Sequence, residues 1–138
     1  MRIMAIDYGD AHTGIAISDP TGLLAGFTTV INSRRQEVVV EQVALIAKEH
    51  GAEELVLGHP VNMDGTLGPR SEKAKAMKVL LEEATSLPVV LWDERRTTID
   101  AHNILFNSGK NAKQRKKVVD AVAASLILEG YLTFKKSH

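Results

Sequence analysis

A chain of 138 residues has room for one domain with a real hydrophobic core but not comfortably for two. Its 44% hydrophobic and 25% charged residues are typical of a globular protein, and the absence of cysteine excludes both disulfide bonds and a Cys-ligated zinc site. A net charge of zero gives no global attraction to nucleic acid, although local basic clusters can still provide one. No apolar run approaches the roughly 20 residues of a membrane span, so we expect one cytoplasmic domain, residues 1–138, with no membrane partner.

Three strands are predicted before the first helix. The apolar run Ile3–Ile6 leads into Asp7 and Gly9, and the segments Gly14–Ser18 and Leu23–Ile31 have the composition of a second and a third strand. The joins between these segments are short, which favours an antiparallel meander. An acid directly after a buried-type strand has two interpretations. It is either a turn former or a carboxylate held rigidly at the strand tip.

Helices and strands alternate in the middle of the chain. Ser33 and Gln36 have capping-box spacing, and Gly51 is predicted to end the helix that follows, whose apolar face consists of Val39, Val43 and Ile46. A short buried strand is predicted at Glu54–Gly58. After a loop, the next helix stops before Pro88 and has an apolar face made of Ala74, Met77, Leu80, Leu81 and Ala84.

The last third adds a fifth strand, Val89–Trp92, a helix capped by Thr97 with Asp100, and a long helix over Ala112–Leu132. This order predicts an α/β protein with a five-stranded mixed sheet, its later strands parallel, flanked by helices. The ribonuclease H fold has the same order, with the first strand in the centre of the sheet. Ligands of open sheets bind beyond the carboxyl ends of central strands, and Asp7 follows such an end.

Two adjacent acids follow the fifth strand. Asp93 and Glu94 precede Arg95 and Arg96, so the simplest interpretation is a solvated turn with ion pairs. In a ribonuclease H-like order, however, this strand tip lies two strand spacings, roughly 10 Å, from Asp7, and a ligand there must reach inward. Successive side chains alternate between faces, so only one of the two acids can point at the site. We predict Glu94, which is longer by one methylene, with Asp93 capping the turn or pairing with an arginine.

The last helix contains a third candidate acid. Asp120 shares a helical stripe with Ala123, Ala124 and Ile127, so the face that contains the acid is otherwise an inward-facing one. Carboxylates are seldom buried without a partner. An ion pair with Lys116 or Lys117 is one explanation, and a metal ligand is the other.

Three carboxylates gathered from distant parts of the chain repel one another unless cations hold them. Oxygen ligands suit Mg²⁺ or Mn²⁺ rather than zinc. Two such ions about 4 Å apart activate a water and stabilise the leaving oxygen of a phosphodiester. We therefore expect two-metal-ion nuclease chemistry, with Asp7, Glu94 and Asp120 as catalytic metal ligands.

Four segments resemble, in order, the signature blocks of the YqgF/RuvX family: "IDYGDAHTGIAISD", "GHPVNMDGTLGPRSEKA", "WDERRTT" and "KKVVDAVAASLILEGYL". The family comprises proteins described as Holliday-junction resolvases and now mostly as nucleases of the 5′ end of pre-16S ribosomal RNA. The resemblance implies a ribonuclease H-like fold, divalent-metal phosphodiester cleavage, and a role in ribosome maturation, with ribosomal precursor particles as partners. The family's acidic positions fall on Asp7, the "DER" block and Asp120. Its first block usually has Arg where this chain has His12, so a phosphate contact there becomes dependent on pH.

Basic residues supply candidate contacts to a nucleic acid. The start of the last helix is strongly basic. Positive charge is unfavourable there with respect to the helix dipole, and contacts to phosphate would explain its location. The alternative is a solvated face. The long segment from His59 to Arg70 resembles a substrate-contacting loop. The candidate nucleic-acid ligands are His12, Arg70, Arg95, Arg96, Lys113, Arg115, Lys116 and Lys117.

Three other functions are compatible with parts of the sequence. A resolvase acting on branched DNA would use the same acids, whereas a non-catalytic RNA-binding adaptor would need the basic cluster only. The strand–hairpin junction at Asp7 also resembles the first phosphate loop of actin-like ATPases, but 138 residues leave no room for their second domain. Pre-ribosomal RNA is the substrate we favour.

Overall fold

The computed structural model describes residues 1–19, 25–59, 69–93 and 112–137, with the backbone alone at residues 25, 69–70, 93, 112–121 and 136–137. Within these ranges no helix is both long and apolar enough to cross a membrane. In chain order, the elements are β1 (Arg2–Tyr8), β2 (His12–Ser18), β3 (Ala25–Asn32), α1 (Gln36–His50), β4 (Ala52–His59), α2 (Pro69–Thr85), β5 (Val89–Asp93) and α3 (Ala112–Ser137).

The five strands form one mixed sheet in the order β3-β2-β1-β4-β5. Strand β1 pairs antiparallel with β2 and parallel with β4, and the β2–β3 and β4–β5 pairs are antiparallel and parallel, respectively. The predicted mixed sheet with a central first strand is therefore confirmed. Met4, Ala5 and Ile6 are completely buried, as expected for a strand covered on both faces.

Helices cover both faces of the sheet and divide the core in two. On one face, Met4 and Ile6 of β1 pack with residues of α1 and α2, including Val43 and Met77. On the opposite face, buried residues of α3 cover the sheet residues Ile3, Ala5, Ala16 and Val56. The alternation of side chains along β1 therefore assigns even-numbered residues to the α1/α2 face and odd-numbered residues to the α3 face.

The ends of α1 confirm one sequence prediction and contradict another. Gly51 ends the helix as predicted, with φ +68° and its N–H bonded to the last carbonyls. The predicted capping box of Ser33 and Gln36 is wrong, because the helix begins at Gln36 with Arg35 as its N-cap. The backbone N–H of Ser33 instead donates to the carbonyl of Ala11 (3.0 Å), and its Oγ accepts from the N–H of Arg35 (3.1 Å). Strand-like pairing thus holds Ser33 outside the helix.

Helix α2 ends at Thr85, before Pro88 as predicted, but it differs from its prediction at its start and at one residue of its apolar face. It begins at Pro69, so Arg70 belongs to its first turn rather than to the preceding loop, and His59 is the last residue of β4. Met77 and Leu81 are buried as predicted, but Ala84 is exposed. Ala84 lies beside an open groove between the last turns of α1 and α2, which is lined by Lys48, Thr85 and Leu87 among others.

The remaining predictions concern the later part of the chain. The fifth strand is confirmed, and α3 extends five residues beyond the predicted end at Leu132. The predicted helix capped by Thr97 with Asp100 lies outside the described residues.

Candidate active site at the carboxyl end of strand β1

Asp7 is the last residue but one of β1 and pairs with Gly14 of β2. It therefore belongs to the strand, which favours the interpretation of a carboxylate held at the strand tip over that of a turn former. Its odd number puts it on the α3 face, in line with the buried residues Ile3 and Ala5. Asp7 itself is half-buried. A carboxylate is thus held at the tip of the central strand of the sheet.

Glycines flank Asp7 on both neighbouring strands. Gly14 is its partner on β2, and Gly58 follows Leu57, the β4 residue that pairs with Ile6. At the level of Asp7, neither neighbouring strand has a side chain that would fill the space beside the carboxylate. The carboxylate therefore has no side chain of a neighbouring strand directly beside it on the α3 face.

The turn after β1 needs a glycine for a different reason. A Cβ on Gly9 would lie 2.4 Å from the carbonyl oxygen of His12, far inside van der Waals contact. The bond from the Ser33 N–H to Ala11 ties the same turn to the segment after β3. In the same turn, Asp10 forms an exposed ion pair with Lys73 of α2 at 3.5 Å. Gly9 thus permits the close backbone approach that holds Asp7 and the start of β2 together.

His12 begins β2 on the same face as Asp7. Ala16, four residues further along β2, packs under α3, so strand alternation assigns His12 to the α3 face. Its cross-strand partner on β3 is Asn32, and His12 Nδ1 lies 2.7 Å from the Asn32 Oδ1 atom. The predicted nucleic-acid ligand is therefore at the Asp7 end of the sheet, with a partner that the sequence analysis did not identify.

His59, at the carboxyl end of β4, lies near the same edge of the sheet. Its Nε2 is 2.5 Å from the Oγ of Ser71, a completely buried residue in the first turns of α2. The bond attaches the start of α2 to the tip of β4. This contact gives His59 a structural role.

Helix α3 is anchored to the sheet through its C-terminal half. The Tyr131 hydroxyl donates to Glu54 of β4, and the Tyr131 ring packs edge-on against Trp92 of β5. Burial, together with the hydrogen bond to Glu54, raises the pKa of Tyr131 well above its usual range. Lys135 adds an ion pair to Glu54 at 3.4 Å. These contacts fix the position of α3 against the sheet.

The other predicted site residues are only partly described. Ala123, Ala124 and Ile127 are buried, so the inward-facing stripe predicted for α3 is confirmed at these positions. Asp120 is one turn before Ala124 on the same helix, and of its side chain nothing is described. The same holds for Arg70, Lys113, Arg115, Lys116 and Lys117, whereas Glu94, Arg95 and Arg96 lie outside the described residues. Among the side chains that the structure describes, no group of three His, Asp or Glu residues could hold a metal.

A five-stranded mixed sheet of this order, with a carboxylate at the tip of its central strand, defines the ribonuclease H-like class of proteins. A solved structure of the same class, T. thermophilus RuvC in complex with a Holliday junction substrate, superposes with a TM-score of 0.63 at 14% identity, and the match covers 99% of this chain and 96% of that chain. At this identity the similarity shows the fold alone.

Sequence comparison gives a narrower assignment. The chain belongs to the RuvX family, described as Holliday junction resolvases, whose pattern it matches over residues 1–134. A relative from Halothermothrix orenii named "Putative pre-16S rRNA nuclease" is 42% identical over 98% of this chain and 96% of its own length. A protein of the same name from Geobacillus kaustophilus is 41% identical over 99% of this chain and 100% of its own length. The predicted family is thus confirmed.

Proposed function

We propose that this protein is a metal-dependent nuclease that processes the 5′ end of pre-16S ribosomal RNA, a reaction that would take place in the cytoplasm on ribosomal precursor particles. The observation that supports it most directly is the Asp7 carboxylate, half-buried at the tip of the central strand with a glycine on each neighbouring strand. The names of the relatives supply the substrate.

The side-chain phase of β5 favours Glu94 over Asp93 as a second acid. Trp92 packs on the α3 face, whereas Leu91 packs against the core on the α1/α2 side. Since side chains alternate, the acid two residues after Trp92 shares the α3 face with Asp7 if the strand continues. The register of the sheet puts Trp92 opposite Gly58, at the level of Asp7. An acid just beyond this level must reach back toward Asp7, and a glutamate side chain is longer than an aspartate side chain by one methylene.

Helix periodicity supports Asp120 as the third acid. Ala124 and Ile127, one and two turns after Asp120, are completely buried on the α3 face of the sheet. Tyr131 contacts Glu54, whose register partner Ile3 is near the start of β1. From that end of β1, the helix runs back over the sheet toward its own N-terminus. Asp120 lies eleven residues before Tyr131, which corresponds to about 16 Å of helix. This length is similar to the roughly 13 Å that the strand spans from Ile3 to Asp7.

The donor set of the proposed site fits a magnesium or manganese ion. Asp7, Glu94 and Asp120 would provide carboxylate oxygens, which these ions prefer, and Gly14 and Gly58 place no side chain beside Asp7. When bound, such ions supply a water of lowered pKa and neutralise charge on the phosphodiester. The protein's own contribution is to hold the acids at fixed positions on a buried strand, a strand end and a packed helix.

Basic residues near this edge would bind the phosphate backbone. Arg70 is in the first turn of α2, and the lysines and arginine at the start of α3 precede Asp120 on the same helix. Contacts of this kind orient the substrate without reading its sequence. Arg95 and Arg96, which directly follow Glu94, would extend the same basic surface.

A resolvase acting on branched DNA is the second candidate, favoured by the description of the family that the chain matches. Both candidates use the same acids, so they differ in the substrate alone. An RNA-binding adaptor without catalysis is the remaining alternative, and it requires none of the acids.

The test compares the purified protein on a pre-16S 5′-leader RNA and on a four-way DNA junction, with Mg²⁺, Mn²⁺ or EDTA. We expect metal-dependent cleavage of the RNA, and its loss in Asp7→Asn with folding and RNA affinity retained. Asp10→Asn is the matched control, since Asp10 is three residues away but exposed and paired with Lys73. Cleavage of the junction alone would favour the resolvase. A folded Asp7→Asn protein with full activity would remove Asp7 from the mechanism, and RNA binding without any cleavage would indicate the adaptor.

A further inference from the structure

The hydrogen bond between His12 and Asn32 bears on how the proposed site contacts its substrate. The two residues face each other across the β2–β3 pair, with His12 Nδ1 2.7 Å from Asn32 Oδ1. His12 is two residues from Gly14, the register partner of Asp7, and lies on the same face of the sheet. Diagonal neighbours such as Asp7 and His12 are about 7–8 Å apart, and Gly14, which is next to both on this face, has no side chain. An imidazole can span this distance to a phosphate held at Asp7.

The chemistry of the two groups fixes the position of one proton. An amide oxygen can only accept a hydrogen bond, so the Nδ1 atom of His12 must be the donor. The neutral ring then has its lone pair on Nε2, which cannot donate to a phosphate oxygen. On protonation, Nε2 gains a hydrogen and the ring becomes a cationic donor.

We propose that Asn32 is a positioning residue that fixes the ring of His12 with Nε2 available to a substrate phosphate beside Asp7, so that His12 contacts the phosphate only as an imidazolium. The proposal rests on the proposed function, since it requires a phosphodiester at Asp7. It assigns a role to Asn32, which the sequence analysis did not identify as part of the site. The neutral ring has no donor for the phosphate, because the bond to Asn32 Oδ1 disfavours the neutral tautomer with a hydrogen on Nε2.

Several charged groups belong to the elements around His12. They are Asp7 on β1, Asp10 in the β1–β2 turn, Arg34 after β3, and Lys116, Lys117 and Asp120 on α3. All of them are unchanged in variants of Asn32, and Asp10 is exposed and paired with Lys73. Comparison of Asn32 variants therefore isolates the effect of the amide. Asn32 is itself exposed, so its substitution leaves the core intact.

The first test determines the tautomer directly. Long-range ¹H–¹⁵N spectra of protein labelled at histidine distinguish a protonated Nδ1 from a protonated Nε2, and His12→Gln identifies the signals of His12 among the five histidines. We expect neutral His12 to have its hydrogen on Nδ1, and to gain the Nε2–H form in Asn32→Ala. An Nε2–H tautomer in the unmodified protein would overturn the proposal. This measurement needs neither substrate nor metal.

The second test measures affinity for a single-stranded RNA oligonucleotide in EDTA between pH 5.5 and 8.5. We expect binding to weaken by roughly tenfold as His12 loses its charge, the worth of one charge-assisted contact. Asn32→Asp should move the midpoint of this change to higher pH, because a carboxylate stabilises the charged ring and still accepts from Nδ1. In His12→Arg the change should disappear, since arginine stays charged.

An identical pH dependence in His12→Gln and the unmodified protein would refute the contact, as would an unmoved midpoint in Asn32→Asp. Neither test depends on cleavage. If both succeed while the unmodified protein cleaves no RNA with Mg²⁺ or Mn²⁺, the proposed function fails and the role of Asn32 in RNA binding stands. If cleavage requires Asp7 but the pH tests fail, only the inference about Asn32 is lost.

Discussion

Replacement of Gly9 by alanine tests whether the turn after β1 holds the site together. The new Cβ would lie 2.4 Å from the His12 carbonyl oxygen, and ordinary contact begins at 3.4 Å, so the two backbone segments must separate by about 1 Å. Overpacking of this kind costs about 1–3 kcal/mol of the free energy of unfolding. A misplacement of about 1 Å near the reacting atoms costs on the order of a hundredfold in rate. Gly9→Ala should therefore lose both stability and cleavage.

The matched control is Gly51→Ala at the end of α1. Gly51 has φ +68° and nothing within 4 Å of a built Cβ, so alanine there suffers backbone strain of about 1–2 kcal/mol without a steric clash. It adjoins Ala52, which pairs with Arg2 at the opposite end of β1 from Asp7. Urea unfolding and RNA cleavage are measured for both variants. If Gly9→Ala loses stability but cleaves at the same rate as Gly51→Ala, the turn does not position the site.

Three other predictions test separate parts of the chain. Glu94→Gln should abolish cleavage in the RNA assay, whereas Asp93→Asn should mainly reduce stability, because strand phase favours the first as the ligand. Replacing Lys116 and Lys117 by alanine should flatten the slope of log affinity for RNA against log salt by about one to two units, since each phosphate contact releases counterions. Tyr131→Phe should lower the free energy of unfolding by about 1.5–3 kcal/mol at pH 7, because its hydroxyl donates to a carboxylate on β4.

Each of these predictions has a control and a contrary result. A dead Asp93→Asn enzyme beside an active Glu94→Gln enzyme would show that the strand phase is reversed. Lys75→Ala with Lys78→Ala removes the same charge from α2, where both lysines pair with glutamates, and should leave the salt slope unchanged. If both double variants had the same slope, the α3 lysines would be ordinary surface residues that do not contact phosphates.

The tyrosine prediction also has a pH dependence. The pKa of Tyr131 is raised in the folded protein above the ordinary value of 10.0, so its contribution is fully present below pH 10 and is lost at higher pH. The stability difference between the native protein and Tyr131→Phe should therefore shrink above pH 10. A difference that is constant from pH 7 to pH 11 would contradict the role of the hydroxyl group.

The sheet was predictable because its central strands are short, continuous apolar runs that periodicity identifies. The location of Asp7 was predictable for a related reason, since an acid next to such a run needs a structural or chemical cause. The start of α1 was not predictable, because Ser33 is drawn away by a backbone bond to Ala11. No local rule assigns that bond.

Contacts between strands account for what the sequence analysis missed. Asn32 is twenty residues from His12 in the chain, and only the register of β2 on β3 makes them partners. In the same way, Gly14 and Gly58 look like ordinary strand glycines until the register puts them beside Asp7. A sequence pattern contains the period of a strand but not its alignment with a neighbour.

The division of the core between α1 and α2 on one face and α3 on the other has a consequence for synthesis on the ribosome. All five strands precede α3 in the chain, and the described part of the second core contains buried residues of no other helix. While the nascent chain grows, one apolar face of the sheet therefore remains uncovered after the strands are able to pair. This face contains Ile3, Ala5, Ala16 and Val56. Such an exposed apolar surface is a target for chaperones and a site of aggregation. The same delay would keep Asp120 away from Asp7 until α3 docks, so a nuclease built in this order would be inactive until α3 has been synthesised.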